Sequence, residues 1–264
     1  MFTFDVDFAQ ASSKLSIPRR VASHRRLILF RGPMGKFVQI VMGPAGVGKS
    51  SYCKTMQEHG RAKNRTIHVG NLDPACETFD YEAAFDIREL INVDEVMGEG
   101  EYGPNGALVF CMEHLLQNYE WLQEHLDSFG DDEYVILDCP GQVELYSHLP
   151  IMRDLARLIE SWGYRAAAVY LLDALFVLEP TKFISGCMLS LSCMLQLELP
   201  HIGVITKCDI ADKEMIERIL DYESSSTILS NDSVSSGKLT LLALFTLYSI
   251  LISSCIYTLY SILI

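Results

Sequence analysis

Apolar positions in residues 36–222 form two alternating patterns, short continuous runs and longer stretches with helical spacing. The continuous runs predict buried strands at 37–42, 66–69, 134–138, 166–172 and 202–206. The helically spaced stretches predict helices at 49–59, 81–90, 107–126, 150–162 and 182–197. Apolar strands that alternate with helices are typical of a parallel sheet covered on both faces. The pattern therefore predicts an α/β fold of three layers, with helices on both faces of a parallel sheet.

The two ends of the chain differ from this central region. Residues 1–35 carry six basic and two acidic side chains, and we interpret them as a disordered basic extension in which Met34 is an alternative start. Residues 223–238 are rich in serine, and residues 239–264 contain no charged side chain and only seven polar ones. Such a tail is long enough to cross a bilayer. An erroneous gene model is our first interpretation of 223–264, and a membrane anchor, which would tether the protein to a membrane, is the alternative.

Composition and charge exclude several classes of protein. The chain has 264 residues, of which 49% are hydrophobic, so it is not intrinsically disordered. With 34 acidic against 21 basic side chains its net charge is −13, which argues against direct binding of nucleic acid but not against a local phosphate pocket. The eight cysteines form no CxxC pair, so a zinc knuckle is not expected. Unpaired cysteines favour a reducing compartment, the cytosol or nucleus.

The glycine-rich segment after the first predicted strand matches the pattern GxxxxGK[ST], a P-loop. Glycines allow backbone N–H groups to surround a phosphate, and the helix that follows adds the positive end of its dipole. In this pattern the lysine contacts the β- and γ-phosphates, and the serine hydroxyl binds Mg²⁺. The nucleotide-binding candidates are Gly43, Pro44, Ala45, Gly46, Val47, Gly48, Lys49, Ser50 and the adjacent Ser51.

Two further segments follow predicted strands. Asp138 ends an apolar strand, as in a Walker B motif, and is expected to join Ser50 in binding Mg²⁺. Gly141 is expected to present its backbone N–H to the γ-phosphate, and Gln142 to position water. Asp73 falls at the edge of the sheet where ligands bind, so it is a second candidate for holding water, although an Asx turn or a helix cap would also explain it.

The sequence TKCD follows the last predicted strand. The carboxylate of Asp209 could accept from both N–H donors of guanine, which adenine lacks, while the stem of Lys207 lies along the base. Thr206 completes this candidate base-binding element. A surface turn is the alternative for TKCD alone, but the other motifs favour guanine. Residues 103–106 (GPNG) indicate no more than a turn.

The segments GPAGVGKS, NLDPA, GPN, DCPGQ and TKCD, in this order, resemble the GPN-loop GTPases over about residues 35–222. The resemblance implies a P-loop GTPase that hydrolyses GTP with Mg²⁺ and works as a homodimer or as a heterodimer with a paralogue. It also implies that Asn105 reaches the γ-phosphate region of the partner's site. By the same resemblance, the protein assembles RNA polymerase II subunits and assists their nuclear import, shuttling between cytoplasm and nucleus.

The resemblance ends after about Tyr222. Members of the family continue there with a strand and a second guanine-contacting loop, so we expect a fold truncated at its C-terminal end. The alternative function is therefore a nucleotide-binding scaffold that hydrolyses little GTP, because part of its guanine pocket is missing.

Overall fold

The computed structural model describes residues 36–98, 100, 102–178 and 180–211. The predictions for 1–35 and 223–264 lie outside these residues, as does the end of the predicted domain at 222. Among the helices in the described part of the chain, none is long and apolar enough to cross a membrane.

Within the described residues, six strands form one sheet in the order β3-β2-β4-β1-β5-β6. Every pair of neighbouring strands is parallel. The strands are β1 (Phe37–Met42), β2 (Ile67–Asn71), β3 (Ala83–Asp86), β4 (Tyr134–Asp138), β5 (Arg165–Asp173) and β6 (His201–Thr206). Their carboxyl ends share one edge of the sheet, so the segments after β1, β2, β4, β5 and β6 are brought to the same side of the molecule.

Eight α-helices lie between or after the strands in the described residues. They are α1 (Lys49–Ala62), α2 (Val93–Gly98), α3 (Pro104–Gln117), α4 (Tyr119–Asp127), α5 (Glu144–Ser147), α6 (Ile151–Ser161), α7 (Ala174–Leu178) and α8 (Pro180–Leu197). A 3₁₀ helix, Ile87–Glu89, follows β3. The predicted helices at 49–59, 150–162 and 182–197 correspond to α1, α6 and α8, whereas the short helices α2, α5 and α7 were not predicted.

Alternate side chains of the central strands pack on opposite faces of the sheet. Ile40 and Leu137 belong to the larger apolar cluster, together with buried residues of α3, α4 and α6. Val41 and Ile136, the next residue of β1 and the preceding residue of β4, belong to a second cluster that includes Cys53 of α1. Because each strand buries side chains on both sides, the sheet is the middle layer of three. The predicted fold class is therefore confirmed.

The helix predicted at 81–90 is wrong. Residues 83–86 instead form β3, which pairs in parallel with β2 at one end of the sheet. Phe85 packs its ring directly over Gly70 of β2, where a Cβ atom would come within 2.1 Å of the ring. Phe85 is 3% exposed. A short edge strand with one buried side chain gives too brief an alternation to distinguish from helical spacing.

The single helix predicted at 107–126 is divided into α3 and α4. Asn118 breaks it with a non-helical backbone (φ −109°, ψ 41°). Its side-chain amide donates to the carbonyl oxygen of His114 at 2.9 Å and so caps the end of α3. Asparagine competes in this way with continuous helix, which explains why the apolar spacing continues across the break.

Candidate functional site: a phosphate and metal cradle at the carboxyl edge of the sheet

The glycine-rich turn after β1 is held tightly against the end of β5. Gly43 has φ +146°, and a Cβ atom there would lie 2.7 Å from the carbonyl oxygen of Leu171. Only glycine fits this position, because a side chain would meet backbone as well as an unfavourable conformation. The turn leads directly into α1, whose first turn has no acidic residue, so its free N–H groups and dipole favour an anion.

Lys49 begins α1 and is 8% exposed. Its ammonium group donates to the carbonyl oxygens of Gly43 at 3.3 Å and Pro44 at 3.4 Å. The turn therefore wraps a buried cation, as the P-loop interpretation predicts. Ser51, the third residue of α1, is exposed, and its carbonyl oxygen accepts from Thr55 at 2.8 Å.

Asp138 joins the end of β4 to the start of α1. Its Oδ2 accepts hydrogen bonds from the Ser50 hydroxyl at 2.8 Å and the Tyr81 hydroxyl at 3.1 Å. The residue is 2% exposed, and its other oxygen, Oδ1, is buried with no hydrogen-bond partner among the described residues. The register explains the contact, since β1 and β4 are neighbours and Asp138 lies opposite Val41, two residues before the turn.

The unpartnered oxygen of Asp138 fits a magnesium ion. Burial raises the pKa of Asp138, while the Ser50 hydrogen bond and the charge of Lys49 act in the opposite direction. A buried carboxylate oxygen without a partner is costly unless a cation or a donor reaches it. Mg²⁺ prefers oxygen ligands and usually takes only one or two from protein, the rest coming from phosphate and water.

The DCPGQ segment packs on the P-loop. At Gly141 a Cβ atom would lie 2.8 Å from Cα and 2.9 Å from N of Ala45, so the two backbones touch. Gln142 is half-buried, and its Oε1 is buried with no hydrogen-bond partner among the described residues. The structure thus brings Gly141 against the predicted phosphate cradle and leaves a carbonyl oxygen of Gln142 available for a donor such as water.

Asp73 is held by a network that the sequence did not predict. The Asn71 side chain, fully buried at the end of β2, accepts from the Asp73 N–H at 3.0 Å and donates to the Asp73 carbonyl at 3.1 Å. It also donates to Asp86 at 2.9 Å, and Arg88 pairs with the other carboxylate oxygen of Asp86 at 2.5 Å. Arg88 extends to the carbonyl of Cys76 at 2.8 Å, so the loop after Asp73 is fixed at both ends.

The side chain of Asp73 takes part in a local turn. Its Oδ1 accepts from the backbone N–H of Ala75 at 3.0 Å, which is the Asx-turn geometry of the alternative interpretation. Burial raises the pKa of Asp73, with the Ala75 N–H and the charge of Lys49 opposing the shift. This turn uses one carboxylate oxygen, Oδ1, so the turn and the proposed role in water binding are compatible.

The segment TKCD, residues 206–209, is also held at the carboxyl edge of the sheet. The Thr206 hydroxyl donates to the Val47 carbonyl in the P-loop at 2.7 Å, and Lys207, with φ 55°, pairs with Asp173 at 2.7 Å. Burial acts to raise the pKa of Asp173, but the hydrogen bond and charge of Lys207, together with the Leu175 N–H, outweigh it and hold the pKa below its usual value. Asp209 is exposed.

The GPN segment is the start of a helix rather than a simple turn. Gly103 is the N-cap of α3 and Pro104 is its first residue, a common place for proline. Asn105 is exposed at this helix end. The structure therefore gathers the P-loop, Asp138, Gly141, Gln142, Asp73 and Thr206 at one edge of the sheet, and leaves Asn105 and Asp209 on the surface.

The sequence analysis did not predict four side chains that support the site, which are Tyr81, Asp86, Arg88 and Asp173. Tyr81 lies in a segment that was predicted to be helical, so its contact with Asp138 had no visible signal. The Asp86–Arg88 pair was hidden by the same error. Asp173 did carry a signal, because it ends an apolar strand just as Asp138 does.

Together the buried lysine, the glycine turn and the Ser50–Asp138 contact define a P-loop nucleotide hydrolase. A family model described as "Conserved hypothetical ATP binding protein" matches residues 41–256. The match runs past Tyr222, and the domain boundary at that residue stays a prediction. The crystal structure of a GTPase in apo form from Pyrococcus abyssi matches with a TM-score of 0.63 and 26% identity, covering 81% of this chain and 84% of that one.

Similar curated proteins identify the family within the P-loop hydrolases to which the chain belongs. The chain is 50% identical over 199 residues to GPN-loop GTPase 3 of Dictyostelium discoideum, which covers 74% of this chain and 70% of that protein. It is 48% identical over 203 residues to GPN-loop GTPase 3 of Danio rerio, covering 75% and 71%. For GPN-loop GTPase 3 of Saccharomyces cerevisiae the identity is 45% over 196 residues, covering 72% of each. The chain belongs to the GPN-loop GTPase family, and the predicted GTPase activity is confirmed.

Proposed function

We propose that the protein binds GTP together with Mg²⁺ and hydrolyses it to GDP as a dimeric switch. The observation that carries the proposal is the hydrogen bond from Ser50 to Asp138, 2.8 Å long between residues 88 positions apart. It places the two side chains that would hold the metal at the mouth of a turn containing a buried lysine. A hydroxyl and a carboxylate beside a phosphate cradle are the donor set of Mg²⁺ in P-loop enzymes.

Different residues would contact the phosphates and the metal ion. Lys49 exchanges its contacts with the Gly43 and Pro44 carbonyls for the β- and γ-phosphates, so its charge is already in place when the nucleotide arrives. Ser50 and Asp138 hold Mg²⁺, which neutralises charge on the phosphate oxygens. Gly141 can supply its backbone N–H next to the P-loop, because the two backbones are already in contact.

Two side chains are candidates for orienting the attacking water. The Oε1 of Gln142 is buried and has no hydrogen-bond partner within the part of the chain that the structure describes, and the local turn of Asp73 uses one of its two carboxylate oxygens. Burial raises the pKa of Asp73, which moves this carboxyl towards the range of a useful proton acceptor. Both lie at the carboxyl edge of the sheet beside the phosphate cradle.

Guanine is the proposed base. The carboxylate of Asp209 is unburied at the end of β6 and is available to the two N–H donors on guanine. Lys207 is fixed by Asp173, so its stem has a defined position along which a base can lie. The Thr206 hydroxyl donates to the Val47 carbonyl and so links the TKCD segment to the P-loop. This contact would couple binding of the base to binding of the phosphates.

The dimer completes the site. Asn105 is exposed at the start of α3, where a second chain can reach it. A partner's Asn105 would supply a polar group at the γ-phosphate, as a residue delivered in trans does in other GTPases. The partner is a second copy or a paralogue. From family resemblance we further propose that the switch serves assembly and nuclear import of RNA polymerase II subunits.

GTP hydrolysis by the full chain tests this function. We expect phosphate release from GTP in Mg²⁺ and none in EDTA. Lys49→Ala should weaken nucleotide binding by at least about 100-fold, since it removes a charge-assisted contact with phosphate, while thermal unfolding of the nucleotide-free protein changes little. GTP affinity within twofold of the unmodified protein would contradict the assignment of the P-loop. Mg²⁺-dependent binding without hydrolysis would favour the scaffold.

A further inference from the structure

Tyr81 lies beside the metal-binding carboxylate, although it belongs to none of the motifs. It is 6% exposed, between the Asp73 loop and β3, and its ring stacks on Phe79 with centroids 4.6 Å apart. The ring is packed in the apolar cluster under α1. Its hydroxyl is therefore fixed by packing and donates to Oδ2 of Asp138 at 3.1 Å.

The hydrogen bonds of Asp138 are distributed unequally between its two oxygens. Oδ2 accepts from both Ser50 and Tyr81, while Oδ1 has no partner among the described residues. An ionised carboxylate has two lone pairs on each oxygen. Two donors to Oδ2 fill that oxygen and fix the rotation of the carboxylate, and they leave Oδ1 as the oxygen still able to accept.

We propose that Tyr81 is a positioning residue for magnesium, which holds the Asp138 carboxylate in the orientation that the ion requires. The inference rests on the proposed function, because it assumes that Ser50 and Asp138 bind Mg²⁺. Without the Tyr81 hydroxyl, Ser50 would be the remaining hydrogen-bond donor to the carboxylate among the described residues, and Ser50 is itself a proposed magnesium ligand. Residues that orient a metal ligand typically change metal affinity by 10- to 100-fold when they are removed.

The chain provides a matched control in Tyr52. Its side chain packs against the same apolar cluster, and its hydroxyl donates to Gln39 at 3.2 Å rather than to Asp138. Tyr52→Phe and Tyr81→Phe thus remove the same atom and one side-chain hydrogen bond each from neighbouring positions. Only Tyr81→Phe alters the bonding of the carboxylate.

The test measures how Mg²⁺ slows release of a fluorescent GDP from the full chain, without need of hydrolysis. Tyr81→Phe should raise the Mg²⁺ concentration for half of the maximal effect by about tenfold, with the release rate in EDTA within twofold of the unmodified protein. Tyr52→Phe should change neither quantity by more than about twofold. An unchanged Mg²⁺ requirement in Tyr81→Phe, or an equal loss of GDP binding in EDTA, would overturn the inference.

A double-mutant cycle with Asp138→Asn gives a second measurement. If Tyr81 acts through Asp138, Tyr81→Phe should have less than about a twofold effect on the Mg²⁺ requirement once Asp138 is an amide. Independent, multiplicative effects would overturn the inference. Failure of the proposed function has a different signature, since the unmodified chain and Tyr52→Phe would then release GDP equally fast with and without Mg²⁺.

Discussion

Two parts of the site are built differently. The phosphate side consists of the P-loop, Asp138 and Gly141, and the base side consists of Thr206, Lys207 and Asp209. On the phosphate side, Lys49 and Asp138 are buried, and the Asp138 carboxylate joins segments of the chain that are 88 and 57 residues away in sequence. On the base side, Asp209 is exposed, and Lys207 is fixed by one partly exposed ion pair. One chain therefore pre-forms the charge environment proposed for the reaction, whereas the proposed recognition of the base would depend on weaker and more accessible contacts.

After Lys49→Ala, the largest expected effect comes from Gly141, where the backbone of the DCPGQ segment touches the backbone of the P-loop. Gly141→Ala should weaken GTP binding by at least about tenfold, because its Cβ would meet Ala45 backbone and displace the P-loop. The measurement is equilibrium titration with a fluorescent GTP analogue. Gly130→Ala is the control, since its Cβ would make only an ordinary contact of 3.5 Å with the Glu133 side chain. Equal affinities for the two variants would show that the P-loop accommodates the added atom.

Asp209 tests the base side alone. Asp209→Asn should lower the ratio of GTP to ATP affinity by about tenfold, because the amide directs a donor at a donor of guanine. The phosphate side is untouched, so ATP affinity should change by less than about twofold. Competition titrations with both nucleotides measure the ratio, and Asp132→Asn, an exposed carboxylate in the turn before β4, is the charge-matched control. If the ratio is unchanged, Asp209 is a surface turn residue.

Two buried or half-buried aspartates should respond to pH with opposite signs. Burial raises the pKa of Asp138 above its usual 3.8, so its ionised form destabilises the nucleotide-free fold at pH 7. Asp138→Asn should therefore stabilise the protein at pH 7, and the gain should shrink as the pH falls through the raised pKa.

Asp173 provides the contrast, since Lys207 lowers its pKa. Its ion pair adds stability that is present above the unfolded pKa and is lost as the pH falls through the lowered value. Asp173→Asn should destabilise the protein at pH 7, by less than about 1 kcal/mol because Lys207 is one-third exposed. Urea unfolding at pH 7 and pH 5 measures both variants. Shifts of the same sign would contradict the assigned environments.

The sequence alone was sufficient to predict those parts of the site whose motif lies within one continuous segment of the chain. The strand, the glycine turn and Lys49 are contiguous, and Asp138 ends an apolar strand, so both could be placed before the fold was known. Tyr81 could not, because its role arises only when its hydroxyl meets a carboxylate 57 residues away. The same holds for Asn71, whose contact with Asp86 depends on β3, the edge strand that was predicted as helix.

The most direct test of the central claim, that the phosphate side is complete in one chain except for a partner's Asn105, is a mixing experiment with two inactive variants. Asn105→Ala keeps its own Lys49, and Lys49→Ala can still donate Asn105. The variants are mixed in equal amounts, and intact-mass measurement should show that about half of the dimers are mixed. Each mixed dimer has one competent site of two, so we expect GTP hydrolysis to return to about a quarter of the unmodified rate. Mixed dimers that remain inactive would contradict delivery of Asn105 in trans.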